Sequence, residues 1–137
     1  METIPPLDLQ RQSFGPIRLN APLDEASVFG PPKRKHASAG NEVLEYAAGY
    51  QLEFQDGRLV CVRFDIDEGV SAIVAGDIRL SRATKPLDVQ VWFGKPASDS
   101  SAGGLRWIDF ERDGATLALE FGVMGLTCVQ LYAEGYA

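Results

Sequence analysis

The chain of 137 residues carries 19 Asp and Glu against 13 Lys and Arg, a formal net charge of −6, with 45% hydrophobic and 23% charged residues. That balance excludes a disordered chain and suits one compact domain spanning residues 1–137. The acid excess argues against a nucleic-acid partner, because phosphates require a net basic face, and no apolar run of about 18 residues is present to span a bilayer as a helix.

The opening Met1-Glu2-Thr3-Ile4-Pro5-Pro6 lacks both a basic and an apolar stretch, so a cytoplasmic location is expected. Residues 1–12, rich in proline and polar side chains, read as a loose N-terminal arm. Beyond it the chain repeats itself. Gly15-Pro16-Ile17-Arg18-Leu19-Asn20 recurs as Gly76-Asp77-Ile78-Arg79-Leu80-Ser81, and Pro22-Leu23-Asp24 as Pro86-Leu87-Asp88. Phe29-Gly30-Pro31-Pro32 recurs as Phe93-Gly94-Lys95-Pro96, Ser38-Ala39-Gly40 as Ser101-Ala102-Gly103, and Leu59-Val60-Cys61-Val62 as Leu126-Thr127-Cys128-Val129. Five blocks in the same order imply two copies of one unit, about 14–68 and 75–136, joined by Glu68 to Ala72.

Each copy opens with a short strand, Ile17 to Leu19 or Ile78 to Leu80. Asn20, or Ser81 and Thr84, can then cap a helix that begins at Pro22 or Pro86, with Asp24 or Asp88 favoured by the helix dipole. Gly30 and Gly94 stand where a left-handed residue would end it. Lys33-Arg34-Lys35-His36 comes next as a basic loop, and the Ser/Ala/Gly stretches read as loops. Three strands are then expected: Val43 to Ala47, Tyr50 to Gln55 and Arg58 to Ile66 in copy one. Leu105 to Phe110, Ala115 to Phe121 and Leu126 to Ala133 are their counterparts. Asp56-Gly57 is a hairpin turn. The fold class is therefore α+β, a tandem repeat of β-α-β-β-β units forming one antiparallel sheet with two short helices on one face.

Strand alternation assigns Leu44, Tyr46, Tyr50, Leu52, Phe54, Val60, Val62, Phe64 and Ile66 to the core, with Ile108, Phe110, Ala115, Leu117, Leu119, Phe121, Thr127, Val129 and Leu131 as their counterparts. On the other face, copy one is mostly polar. Copy two there places a patch centred on Trp107, Leu126 and Tyr132, rimmed by Asp109, Glu120 and Gln130. Trp and Tyr beside aliphatics are the residue types of protein-binding hot spots.

Chemistry is sparse. The one histidine, His36, has no Cys or His at metal spacing, so no metal and no cofactor is expected. Lys33, Arg34, Lys35 and His36 are a weak anion-binding candidate whose bland reading is solvated charge. Cys61 and Cys128 occupy matching strand positions and read as small hydrophobes rather than a disulfide. Asp65-Ile66-Asp67-Glu68 gathers carboxylates without the pattern of a calcium loop. No nucleophile elbow, phosphate loop or dinucleotide fingerprint occurs, so no catalytic residue is assigned.

The run Pro-Leu-Asp…Phe-Gly-x-Pro, a Ser/Gly loop and a meander containing Asp56-Gly57-Arg58-Leu59-Val60 resemble the small unit of the BamE/SmpA outer-membrane lipoproteins. Doubled in one chain, the unit is similar in outline to the β-lactamase inhibitor protein, whose tandem units offer a concave sheet to a partner enzyme. No lipobox cysteine, signal or paired disulfide accompanies the likeness. The resemblance implies an architecture and a sheet face used for binding. The expected function is a non-enzymatic protein-interaction module, an inhibitor or immunity-type protein with a basic toxin or enzyme as partner. A homodimer is compatible with the same patch. Two other readings stay open: a small-molecule domain with its ligand between the sheet and the Lys33–His36 loop, and a hydrolase pairing His36 with an acid from Asp65 to Glu68.

Overall fold

The computed structural model describes residues 5–66, 73–75 and 78–135. The expected joining segment 68–72 lies outside the described residues, as do Asp67, Gly76 and Asp77. Among the described residues thirteen strands, numbered in chain order, form two sheets. The larger has eight antiparallel strands in the order β10-β11-β12-β13-β7-β6-β5-β4. These are β4 (Arg34–Ser38), β5 (Asn41–Glu45), β6 (Tyr50–Gln55), β7 (Arg58–Asp65), β10 (Ser98–Ala102), β11 (Leu105–Arg112), β12 (Ala115–Gly122) and β13 (Gly125–Ala133). The smaller has the order β3-β2-β1-β8-β9, built from β1 (Leu7–Asp8), β2 (Ser13–Phe14), β3 (Ile17–Arg18), β8 (Ile73–Ala75) and β9 (Ile78–Leu80). The class is α+β, mostly antiparallel sheet, with two short helices among the described residues. One sheet was expected; the second arises because the short strands beginning at Ile17 and Ile78 pair with β2 and β8, which β1 joins, rather than with the meanders.

The large sheet is two four-stranded meanders sharing an edge. Both run through hairpins of two residues with positive φ, the mirror-image turn that matches strand twist. Ala39-Gly40, Asp56-Gly57, Gly103-Gly104 and Asp113-Gly114 all fall between 45° and 85°. The stretches expected as Ser/Ala/Gly loops are thus hairpin turns, and each meander gains a strand, β4 or β10. The Lys33–His36 loop is corrected with it: Arg34, Lys35 and His36 lie on the exposed edge strand β4, paired with β5.

Alternation is plain in β6, where Tyr50, Leu52 and Phe54 are buried and Gln51, Glu53 and Gln55 are not. Two bulges break it elsewhere, between Glu53 and Phe54 against β7 and between Glu120 and Phe121 against β13. A bulge adds one residue to a strand and so flips the facing of the residues beyond it. Phe54 therefore opposes Leu59, and Phe121 opposes Leu126. Leu59 and Leu126 are both fully buried. Leu126 is a core residue, not part of the outward patch, and Thr127 takes the outward position assigned to it.

Both helices and the small sheet cover the inner face. The 3-10 helix Leu23–Phe29 sends Ala26 inward, and helix α1 (Pro86–Phe93) sends Val89. Phe14 meets Tyr50 and Phe64 edge-on at 4.9 and 5.4 Å between centroids, and Phe93 lies 5.2 Å from Phe110. Buried residues of both halves belong to one cluster. Leu7, 2% exposed, is part of it, so the N-terminal stretch, expected as a loose arm, is anchored to the core at that residue. Neither helix has the expected cap. Asn20 holds a φ of 72° and donates its N–H to the Leu59 carbonyl. Thr84 accepts the Ser81 N–H, while the Asp88 carboxylate accepts the Lys85 N–H at the start of α1. Gly30 and Gly94 do end the helices, with φ of 79° and 87°.

Leu126→Ala should lower stability by about 2–5 kcal/mol in urea unfolding, the cost of a cavity in a packed interior. A loss below about 1 kcal/mol would instead put the side chain on the solvent face.

Candidate functional site

Strand register lays out the face turned away from the helices. One row across the sheet runs Ser100, Trp107, Glu120, Cys128 and Asp65. The next runs Asp109, Ala118, Gln130, Arg63, Gln51 and Glu45. The third runs Glu111, Thr116, Tyr132, Cys61, Glu53 and Val43.

Trp107 is half-buried, and its indole N–H donates to Glu120 Oε1 at 3.0 Å. The second oxygen of that carboxylate accepts from the Thr127 hydroxyl at 2.7 Å. This is the consequence of the bulge: the outward residue is a hydroxyl that fixes Glu120, which in turn holds the indole ring. Asp109 accepts from the Ser98 hydroxyl at 3.0 Å. Gln130 lies between the two thiols, its amide oxygen 3.7 Å from Cys61 Sγ and its amide nitrogen 3.9 Å from Cys128 Sγ. Tyr132 is half-buried; burial foremost, then the charge of Asp109, raises its phenol above the ordinary range. Arg63 grips Asp65 through two N–H groups at 3.2 Å.

Of the expected patch, the face thus holds Trp107, Tyr132, Asp109, Glu120 and Gln130, without Leu126. Trp107 and Tyr132 are not one continuous surface, since Asp109, Ala118 and Gln130 run between their rows. The electrostatic character is clear. Glu45, Glu53, Asp65, Asp109, Glu111 and Glu120 outnumber Arg34, Arg58 and Arg63 on this face.

The basic candidates lie at the sheet edge. Lys35 pairs with Glu42 at 3.4 Å and His36 Nε2 lies 2.8 Å from Glu45 Oε2, so both meet carboxylates of the chain itself. Lys33 donates its backbone N–H to the Glu45 carbonyl. Asp65 and His36 are three strands apart, about 14 Å at the usual strand spacing, so the expected acid–histidine contact is not formed at Asp65; Asp67 and Glu68 lie outside the described residues. Among the described residues no three His, Cys, Asp or Glu side chains gather as metal ligands, and no helix is long and apolar enough to cross a membrane.

Sequence reasoning missed the exposed apolar residues. Val123 and Met124, 91% and 76% exposed, form the tip of the β12–β13 hairpin. Their signal was there: turns favour Gly, Asn and Asp, and Gly122-Val123-Met124-Gly125 places two apolar side chains between glycines.

An α+β architecture dominated by antiparallel sheet is the class these elements define. No protein-family model matches the chain, and no curated protein matches it. Among solved structures it is similar to a DUF4309 family protein, YjgB, from Bacillus subtilis, with a TM-score of 0.62 over 88% of this chain and 84% of that one. At 13% identity the likeness concerns the fold alone.

Burial pushes the Cys128 thiol up to about 11 from its ordinary value near 9, with Arg63 pulling the other way and Asp65 and Glu120 adding to the rise. The thiolate is the nucleophile, so at pH 8 its fraction falls about 100-fold below that of the unfolded chain. In a Cys61→Ser variant, iodoacetamide should alkylate native Cys128 at least about 100-fold more slowly than the same chain in urea. Because the unfolded thiol gives up its proton first, stability should decline as pH rises through 9 toward 11. Equal alkylation rates in the two states would contradict this burial.

Proposed function

We propose that the chain is a non-enzymatic protein-interaction module that docks a basic partner, of the inhibitor or immunity type, on the outward face of its eight-stranded sheet. The observation that carries this reading is the composition of that face: a half-buried indole fixed by Glu120, a half-buried phenol, and carboxylates in excess of cations. Opposite charge steers encounter and excludes wrong partners, while ordered aromatic side chains supply contact area at low entropic cost. A partner with a basic surface is the occupant of matching chemistry.

The reading includes a duplicated unit of BamE/SmpA-like outline. Strand pairing supports it. With Cys61 matched to Cys128, exchanging the halves carries Cys61↔Tyr132 onto Asp65↔Cys128, Val62↔Leu131 onto Phe64↔Val129, and Arg63↔Gln130 onto itself. Bulges at Glu53/Phe54 and Glu120/Phe121 obey the same exchange. Two copies related by an axis through Arg63 and Gln130 would give this register.

The test is affinity capture by the full chain from lysate of its native cells, run beside folded Trp107→Ala and Tyr132→Ala variants. A stoichiometric partner of pI above about 8 is expected, released by raised salt and weakened at least about 30-fold by Trp107→Ala. Capture that is unchanged in both variants, or the absence of any stoichiometric partner, would sink the proposal.

A further inference from the structure

A crevice of about 760 Å³ opens at the end of the large sheet, well away from the Tyr132 row. Three stretches distant in sequence build it: residues 82–86 before and at the start of α1, residues 101–106 around the β10–β11 turn, and residues 121–125 around the β12–β13 turn. The volume falls within the range of small-molecule sites.

Its lining departs from the rest of the chain in two ways. First, it holds Arg82, Lys85 and Arg106 and not one carboxylate, in a protein with a net charge of −6. Arg106 is clamped by Asp99 from outside the lining, with contacts of 3.0 and 2.7 Å. Arg82 reaches the Ile66 carbonyl at 3.4 Å, and neither Arg82 nor Lys85 forms a salt bridge among the described residues. Secondly, the adjoining wall is apolar and exposed. The β6–β7 hairpin turns on Asp56-Gly57, whereas the β12–β13 hairpin turns on Val123-Met124, which leaves two apolar side chains in contact with water.

We infer that this crevice binds an amphiphilic organic anion, a carboxylate or phosphate carrying a medium-length alkyl or aryl part. The anionic head is held by Arg82 and Lys85, and the apolar part lies against Leu105, Val123 and Met124. Charged hydrogen bonds fix the head, and burial of the tail removes the exposed hairpin tip from water. The inference does not draw on the sheet-face reading and survives its failure.

Calorimetric titration of the full chain with octyl phosphate and with decanoate, both below their micellar concentrations, tests it. Saturable one-to-one binding is expected, at least about 10-fold tighter than for the uncharged octyl glucoside. Lys85→Glu should weaken it at least about 10-fold. So should the double substitution Val123→Asp with Met124→Gly, which removes the exposed apolar tip; a cooperative unfolding curve of the ligand-free variant shows that it remains folded. No saturable heat, equal affinity for octyl glucoside, unchanged affinity in both variants, or binding confined to phosphatidylglycerol vesicles would each overturn the assignment.

Discussion

The pairing of β7 with β13 is the constraint on which the architecture depends. Five residue pairs centred on Arg63↔Gln130 merge two meanders into one sheet. These strands carry fully buried side chains, with Leu59, Val62, Phe64, Leu126 and Val129 at 0% exposure. Alone, either meander would end in an apolar edge, a template for unwanted pairing. Joining them moves the apolar strands to the centre and leaves as edges β4, with Arg34, Lys35 and His36, and β10, a run of serines with Asp99. Polar and charged edge strands suit exposure to water and resist further pairing.

The same placement explains why part of the fold could be read from the residues and part could not. β6, β11 and β12 bury one face and alternate accordingly. β4 and β10 bury neither face, so Arg34 to Ser38 and Ser98 to Ala102 carry no hydrophobic period and read as loops. Their trace was in the turns, Ala39-Gly40 and Gly103-Gly104, whose positive φ values a two-residue hairpin requires. The two- and three-residue strands of the small sheet are too short for any period to register, and their partners lie far away in sequence.

At the site, parity was sufficient for Trp107, Asp109, Glu120, Gln130 and Tyr132, and it failed for Leu126. The failure is specific to a bulge, which shifts facing by one residue without a compositional mark. Its effect is chemical as well as geometric. An outward Leu126 would have made an aliphatic patch beside Trp107; an outward Thr127 makes a hydrogen-bonded chain from hydroxyl to Glu120 to indole. The face that results is ordered and acidic instead of aliphatic.

The bulge also shapes the far end of the sheet. Turning Leu126 inward directs its N–H to the Arg82 carbonyl at 3.3 Å, just as Leu59 donates to Ala21 at 2.9 Å in the first half. In the first half Arg58 precedes that contact and bridges to Pro22; in the second it is Gly125, at a φ of 116°, where an added Cβ would collide with the Arg82 carbonyl oxygen. Glycine therefore lets the Arg82–Lys85 turn dock directly beneath the hairpin tip. That close approach sets Arg82 and Lys85 in the same crevice as Val123 and Met124, side chains that no local pattern relates to them. One backbone irregularity thus removes an apolar residue from the acidic face and, a few residues away, helps to shape a basic crevice, so that the two surfaces of one small domain differ in charge.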